Sequence, residues 1–219
     1  MNNNLTELVF ILDRSGSMRG LEKDTIGGFN SMLDQQRKAE GEVLISTVLF
    51  DDKEILLHDR MNLKAIKDLT DKDYYVGGCT ALLDAVGNAI KRINTLQKAM
   101  PEEERPAKTM FVITTDGMEN ASRHYTYDKV KKMVEKKQEK KNWEFIFLGA
   151  NMDAISAGAN LGIKADRATN YRCDSKGTAV NFNALSKAVL KYRCAEPMMA
   201  SKALADWDED IVADYQTRS

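Results

Sequence analysis

Four short apolar runs are spaced along the chain, and none of them alternates cleanly between apolar and polar residues. They are Leu8–Leu12, Glu42–Phe50, Lys108–Thr115 and Trp143–Gly149. Runs of this length, rich in apolar, β-branched and aromatic residues, predict strands buried on both faces. Between them the apolar residues step by three or four. Ile26, Phe29, Leu33 and Gln36 predict a helix from near Gly20 to near Gly41. Leu82, Val86, Ala89, Ile90 and Ile93 predict a second from Ala81 to just before Pro101. Val130, Met133 and Val134 mark a third over Asp128–Lys140, and small residues a fourth over Met152–Leu161. The last core helix is expected over Lys176–Arg193, carrying Val180, Leu185, Val189 and Leu190. Strands that alternate with helices predict an α/β layer fold with a mostly parallel sheet.

The remaining stretches are less regular. Asp51-Asp52-Lys53 reads as a tight turn, after which Glu54–His58 returns as an antiparallel hairpin partner. Leu63, Ile66 and Leu69 suggest a short helical segment, and residues 165–170 a weak strand. Residues 195–219 differ in character, with a Met pair and then Trp207 among acidic residues. The expected division is therefore one domain over 1–194 and a C-terminal extension over 195–219.

Charge and cysteine content exclude several classes. With 32 basic against 33 acidic residues the net charge is −1, so no global attraction to nucleic acid or anionic membrane is expected. The N-terminus has no basic segment before its apolar run, and no stretch approaches the ~20 apolar residues of a spanning helix. A cytoplasmic location is the expectation. Cys79, Cys173 and Cys194 are widely spaced and form no CxxC pair, which predicts reduced, partly buried thiols.

Chemistry gathers on three loops. Asp13, Ser15 and Ser17 follow the first strand, with Gly16 relieving the backbone between the hydroxyls. Thr80 follows Gly77-Gly78, and Asp116 directly follows the strand that ends at Thr115. Open α/β sheets bind ligands outside the carboxyl ends of their strands, where the strand order reverses. If the strands ending at Leu12 and Thr115 are neighbours there, Asp13 and Asp116 converge. Two carboxylates and three hydroxyls would form an all-oxygen shell, which suits Mg²⁺ or Mn²⁺, admits Ca²⁺ and disfavours Zn²⁺. Neutral hydroxyl ligands would leave the cation electron-poor and receptive to an incoming carboxylate.

Asp13-x-Ser15-x-Ser17, with Thr80 and Asp116 at these separations, resembles the metal-ion-dependent adhesion site of the von Willebrand factor A domain family. The stretches FILDRSGSM, GGCTALLDA and TTDGMENAS resemble bacterial intracellular members, and the likeness covers roughly residues 7–194. It implies a doubly wound, mostly parallel sheet with one antiparallel edge strand and helices on both faces. Ser15 and Ser17 would ligate the metal through their hydroxyls. Thr80 would bind directly or through water, and Asp13 and Asp116 directly or through bridging waters. A Glu or Asp of a protein partner would complete the shell. The implied function is a non-enzymatic, metal-dependent protein-binding module.

Other readings compete at each position. Asp-x-Ser-x-Ser alone also describes a helix cap, and Asp-Gly alone a turn. Asp51-Asp52 fits turn chemistry, and Asp84 a first-turn acid favoured by the helix dipole. His58 and His124 have no apparent partner. The lysines of 129–141 are interleaved with Glu135 and Glu139 and read as a solvated helix face. Tyr74 and Tyr75 fit either a ligand-contacting rim or simple loop packing. Arg14 is expected to point away from the metal, where it would help select the partner. The competing function is a Mg²⁺-dependent phosphoryl-transfer or hydrolytic enzyme, because Asp at a strand end can accept a phosphoryl group. Against it, position 15 is Ser rather than a second carboxylate, and no P-loop, dinucleotide fingerprint or G-x-S-x-G elbow is present.

Overall fold

The computed structural model describes residues 1–218. Its centre is a strand, β1 (Asn2–Asp13), sandwiched between two parallel neighbours, β2 (Glu42–Phe50) and β4 (Pro106–Thr115). The whole sheet has the order β3-β2-β1-β4-β5-β6. Strands β5 (Glu144–Gly149) and β6 (Ala168–Asn170) continue it in parallel, and β3 (Glu54–Asn62) is the antiparallel edge. The helices are α1 (Glu22–Arg37), α2 (Leu82–Ala99), α3 (Tyr127–Lys141), α4 (Ala154–Asn160), α5 (Ser175–Cys194) and α6 (Glu209–Thr217).

The absence of period-two patterning follows from burial on both faces. Leu8, Phe10 and Leu12 of β1 point into one core with Phe29 and Leu33 of α1 and Leu185 and Val189 of α5. Val9 and Ile11, one residue out of step, point into the other with Val86 and Ile90 of α2 and Val130 and Val134 of α3. Each such side chain taken from water contributes about 1.5–3 kcal/mol before entropy is counted. In the second core Phe111 stacks on both Trp143 and Phe145, at 5.3 and 4.9 Å between ring centroids.

Several elements depart from the sequence expectation. β1 begins at Asn2, with a register shift against β4 between Asn2 and Thr6. β3 runs on to Asn62 through two irregularities in its pairing with β2. The segment after it forms only a 3-10 turn at Leu63–Ala65, although Leu63, Ile66 and Leu69 are all buried. Tertiary burial, not helix formation, explains their spacing. Residues 165–170 divide into a 3-10 turn and the short β6. Cys79 and Cys194 are exposed and Cys173 is half-buried, so only the last fits the expected partly buried thiol.

The C-terminal stretch lies on the α5 side of the sheet. Ala200, Leu204, Trp207 and Ile211 are buried among Tyr171, Tyr192 and Ala188. The Trp207 indole N–H donates to the Asp166 carbonyl at 3.0 Å. Among the described residues no helix is long and apolar enough to cross a membrane.

Candidate metal centre

β1 and β4 lie side by side in parallel, with Leu12 opposite Thr114. Their carboxyl ends therefore stop at the same level. The chain leaves β1 for α1 and β2 on one side, and β4 for β5 on the other, so this is the reversal point of the strand order. Asp13 and Asp116 emerge here together, both buried.

The first loop is held by its own hydrogen bonds. Asp13 Oδ1 accepts from the Ser15 N–H at 2.7 Å, which folds the chain back at once after the strand. A 3-10 turn over Gly16–Met18 follows, and brings Ser15 Oγ and Ser17 Oγ to 3.1 Å of each other. The Arg14 N–H donates to the Phe50 carbonyl, and the Gly77 N–H to the Arg14 carbonyl. The Gly16 N–H donates to the Gly78 carbonyl at 3.2 Å. Gly78 has φ +72°, a conformation that favours glycine, and a Cβ there would have to push the Asp52 carboxylate aside. Loops one and two are thus joined backbone to backbone.

The third loop closes the cluster. Ser17 Oγ donates to Asp116 Oδ1 at 2.5 Å. A Cβ placed on Gly117 would stand 3.0 Å from Thr80 Oγ1, 3.4 Å from Ser17 Oγ and 3.9 Å from Ser15 Oγ. Three hydroxyl oxygens from two loops therefore surround one point that the missing side chain leaves clear. Thr80 is fixed by Asn120, whose Oδ1 accepts from the Thr80 N–H while its own N–H donates to the Thr80 carbonyl. The structure brings Ser15, Ser17, Thr80 and Asp116 together directly. Asp13 stands behind them, linked through the Ser15 N–H.

The electrostatics follow from burial. Asp13 is raised to about 6, chiefly because burial penalises its charge. Hydrogen bonds from Thr115 and Ser15 oppose that rise, and the Asp116 charge adds to it. Cys173, whose Sγ lies 3.5 Å from Asp116 Oδ2, is raised to about 12 by burial and then by the Asp116 charge. Its thiol is neutral. Among the described residues no group of three or more His, Cys, Asp or Glu side chains forms a metal cluster, so hydroxyls make up most of this site's donors.

The supporting residues were not evident in the sequence. Thr115 Oγ1 donates to Asp13 Oδ2 at 2.5 Å from the next strand. Glu119 accepts from the N–H groups of Leu83, Ala121 and Ser122. Asp84 accepts from those of Arg123, His124 and Tyr125. Burial raises the Asp84 carboxyl, but these three donors outweigh it and hold the group below its ordinary value. Asp84 therefore pins the loop after Asp116, beyond any dipole role. The Tyr74 hydroxyl donates to the Asp13 carbonyl at 2.6 Å and is buried, whereas Tyr75 is exposed.

Arg14 does not stand where a partner could be selected. Its side chain is 4% exposed and pairs with Asp51 at 2.8 Å, under the ring of Tyr75. It does point away from the hydroxyl cluster, but into the protein, as a tie between the first loop and the β2–β3 turn. Asp51 is accordingly more than a turn residue.

No protein-family model and no curated protein matches the sequence. Solved structures do. Proximal thread matrix protein 1 from the mussel byssus is similar over 85% of this chain at 16% identity, with a TM-score of 0.61. The same mussel protein has been solved with a zinc-occupied MIDAS motif, matching at a TM-score of 0.57. A von Willebrand factor type A protein from Catenulispora acidiphila matches 85% of the chain at 13% identity and a TM-score of 0.53. This chain spans 46% and 42% of the length of those two proteins. At such identities the likeness is one of fold: the sheet order and flanking helices are those of von Willebrand factor A structures.

Proposed function

We propose that the chain is a metal-dependent protein-interaction module. The observation that carries this reading is the convergence of Ser15, Ser17 and Thr80 hydroxyls around the position that Gly117 leaves clear, with the Asp116 carboxylate bonded to Ser17. A divalent cation would be held there by Ser15, Ser17, Thr80 and Asp116, with Asp13 behind them. The donor set fits such an ion: all ligands are oxygens, and the two carboxylates supply charge that the hydroxyls do not. When bound, the cation supplies a Lewis-acidic position for a carboxylate. Asp13 and Thr115 orient the first loop, and Asn120 fixes Thr80, so the cluster is built in advance of the ion.

Magnesium and manganese suit this set, and calcium can be accommodated. The zinc-occupied motif of the mussel protein counts against a strict exclusion of zinc, so zinc belongs among the metals to be tested. The partner would be a protein presenting Glu or Asp, and the setting would be the cytoplasm. A non-enzymatic role is supported by the surroundings of the hydroxyls. Among the described residues the Ser15 and Ser17 hydroxyls bond to each other and to Asp116, while His58 is buried on β3 against Thr47, the His124 backbone N–H is held by Asp84, and Leu83 and Ser122 engage Glu119.

The direct experiment is capture of partners from a lysate of the source cells with Mg²⁺, with Mg²⁺ replaced by EDTA, and with Ser17→Ala as bait. Proteins retained only by the wild-type chain with metal support the reading. Identical sets of bound proteins under all three conditions would refute it, and so would metal-dependent phosphoester hydrolysis abolished by Asp13→Asn.

A further inference from the structure

A small cavity lies behind the first loop, on the α1–α5 face of the sheet, bordered by Asp13 and Met18. It leaves about 10 Å³ for the centre of a water molecule. Four polar side chains share its wall: Thr25 from α1, Thr114 from β4, and Thr178 and Asn181 from α5. All are more than nine-tenths buried, at 3%, 7%, 4% and 1% exposure. Among the described residues, none of Thr114 Oγ1, Thr178 Oγ1 and Asn181 Oδ1 has a hydrogen-bond partner in the protein, while Thr25 Oγ1 faces the Tyr74 hydroxyl without a hydrogen bond of good geometry.

Native interiors satisfy buried polar atoms with protein groups or with ordered water. One such atom alone could be an accident of packing. Three that line a single cavity, drawn from two elements, with the Thr25 hydroxyl of a third beside them, share one solution. We propose that this cage is an internal binding site for one water molecule, which bridges α1, β4 and α5 behind Asp13.

The cage chemistry selects water over a cation. Its four polar side chains are neutral, and the three hydroxyls can donate as well as accept. The one carboxylate at its edge, Asp13, already has both oxygens engaged, by the Ser15 N–H and the Thr115 hydroxyl. A buried water makes two to four hydrogen bonds in a space of about this size. The water would give the first loop a polar rear support that joins it to α5. This inference does not depend on whether a metal binds in front of Asp13.

The test is a crystal structure of the full-length wild-type protein at about 1.5 Å resolution, grown once in sodium chloride and once in choline chloride. The expected result is a single peak within about 2.6–3.2 Å of at least three of the four atoms, the same in both salts. In Thr114→Val with Thr178→Val the peak is expected to be lost. A dry cage in the wild type, with the hydroxyls turned to other partners, overturns the proposal. So does a peak present only with sodium, at the shorter contacts of a cation. Because the wild-type structure decides, a variant that fails to fold leaves the test intact.

Discussion

Ser17 Oγ and Asp116 Oδ1 lie 2.5 Å apart although 99 positions separate them in the chain. That hydrogen bond joins the loop after β1 to the loop after β4, and Thr80, from the loop before α2, adds the remaining candidate donor. Its geometry depends on the parallel pairing that sets Leu12 opposite Thr114.

Gly117 offers a way to block the site without touching a ligand. It lacks the positive φ seen at Gly20, Gly41, Gly78 and Gly162, so alanine fits its backbone. The new methyl would stand 3.0 Å from Thr80 Oγ1 and 3.4 Å from Ser17 Oγ. Gly117→Ala is expected to lower metal affinity at least tenfold, a difference of about 1.4 kcal/mol, and to leave the circular dichroism spectrum unchanged. Calorimetric titration measures the first, and wild-type affinity in the variant would show that the ion does not sit there.

Asp13 predicts a pH dependence of the metal-free protein. Its pKa rises on folding from 3.8 to about 6, so the folded state favours the protonated form. Below 3.8 both states hold the proton and no penalty applies. Between 3.8 and about 6 the unfolded chain ionises first, and stability falls as pH rises. Above 6 the full cost is present, on the order of 3 kcal/mol. Asp13→Asn is therefore expected to raise metal-free stability at pH 7.5 and to change it little at pH 3.5, while weakening metal binding. Urea denaturation at the two pH values checks this.

The pair between Arg14 and Asp51 is buried, with side-chain exposures of 4% and 9%. Removing one member leaves the other charge unpaired in the interior. Arg14→Met is expected to cost about 3–5 kcal/mol, read as a lower denaturant midpoint at unchanged slope. A loss below 1 kcal/mol would place Arg14 on the surface after all.

Trp207 tests how far residues 195–219 contribute to the domain. Its ring is buried beside Leu204 and Ile211 in the core on the α5 side. Trp207→Ala is expected to destabilise the whole chain by about 3–5 kcal/mol, in one cooperative transition. An unchanged midpoint would make the extension an appendage.

Much of the architecture was legible because buried strands and amphipathic helices write themselves in apolar spacing. β2, β4, β5, α2 and α5 are where periodicity set them, within a few residues. Leu63, Ile66 and Leu69 misled because burial under a loop gives the same spacing as a helix. The candidate oxygen donors stand out in the sequence because they cluster at or just after a strand end or a glycine pair. Thr115, Asn120, Glu119 and Asp84 could not, since Thr115 works through the carboxylate of a distant strand end and the other three through backbone groups of distant loops. Arg14 was half legible. Alternation with Asp13 and Ser15 turns it away from the cluster, but nothing local reveals that Asp51 waits on the other side.

The most direct measurement is thermal unfolding of the wild-type chain and of Ser17→Ala, each titrated with Mg²⁺, Mn²⁺, Ca²⁺ and Zn²⁺. Ser17 is exposed, and its loss should leave the metal-free fold intact. At a metal concentration of 100 Kd the wild type should gain about 2.7 kcal/mol, or about 5–10 °C, and Ser17→Ala should gain far less at the same concentration. The absence of any shift in the wild type with all four metals at millimolar concentration, or an equal shift in the variant, would contradict the account.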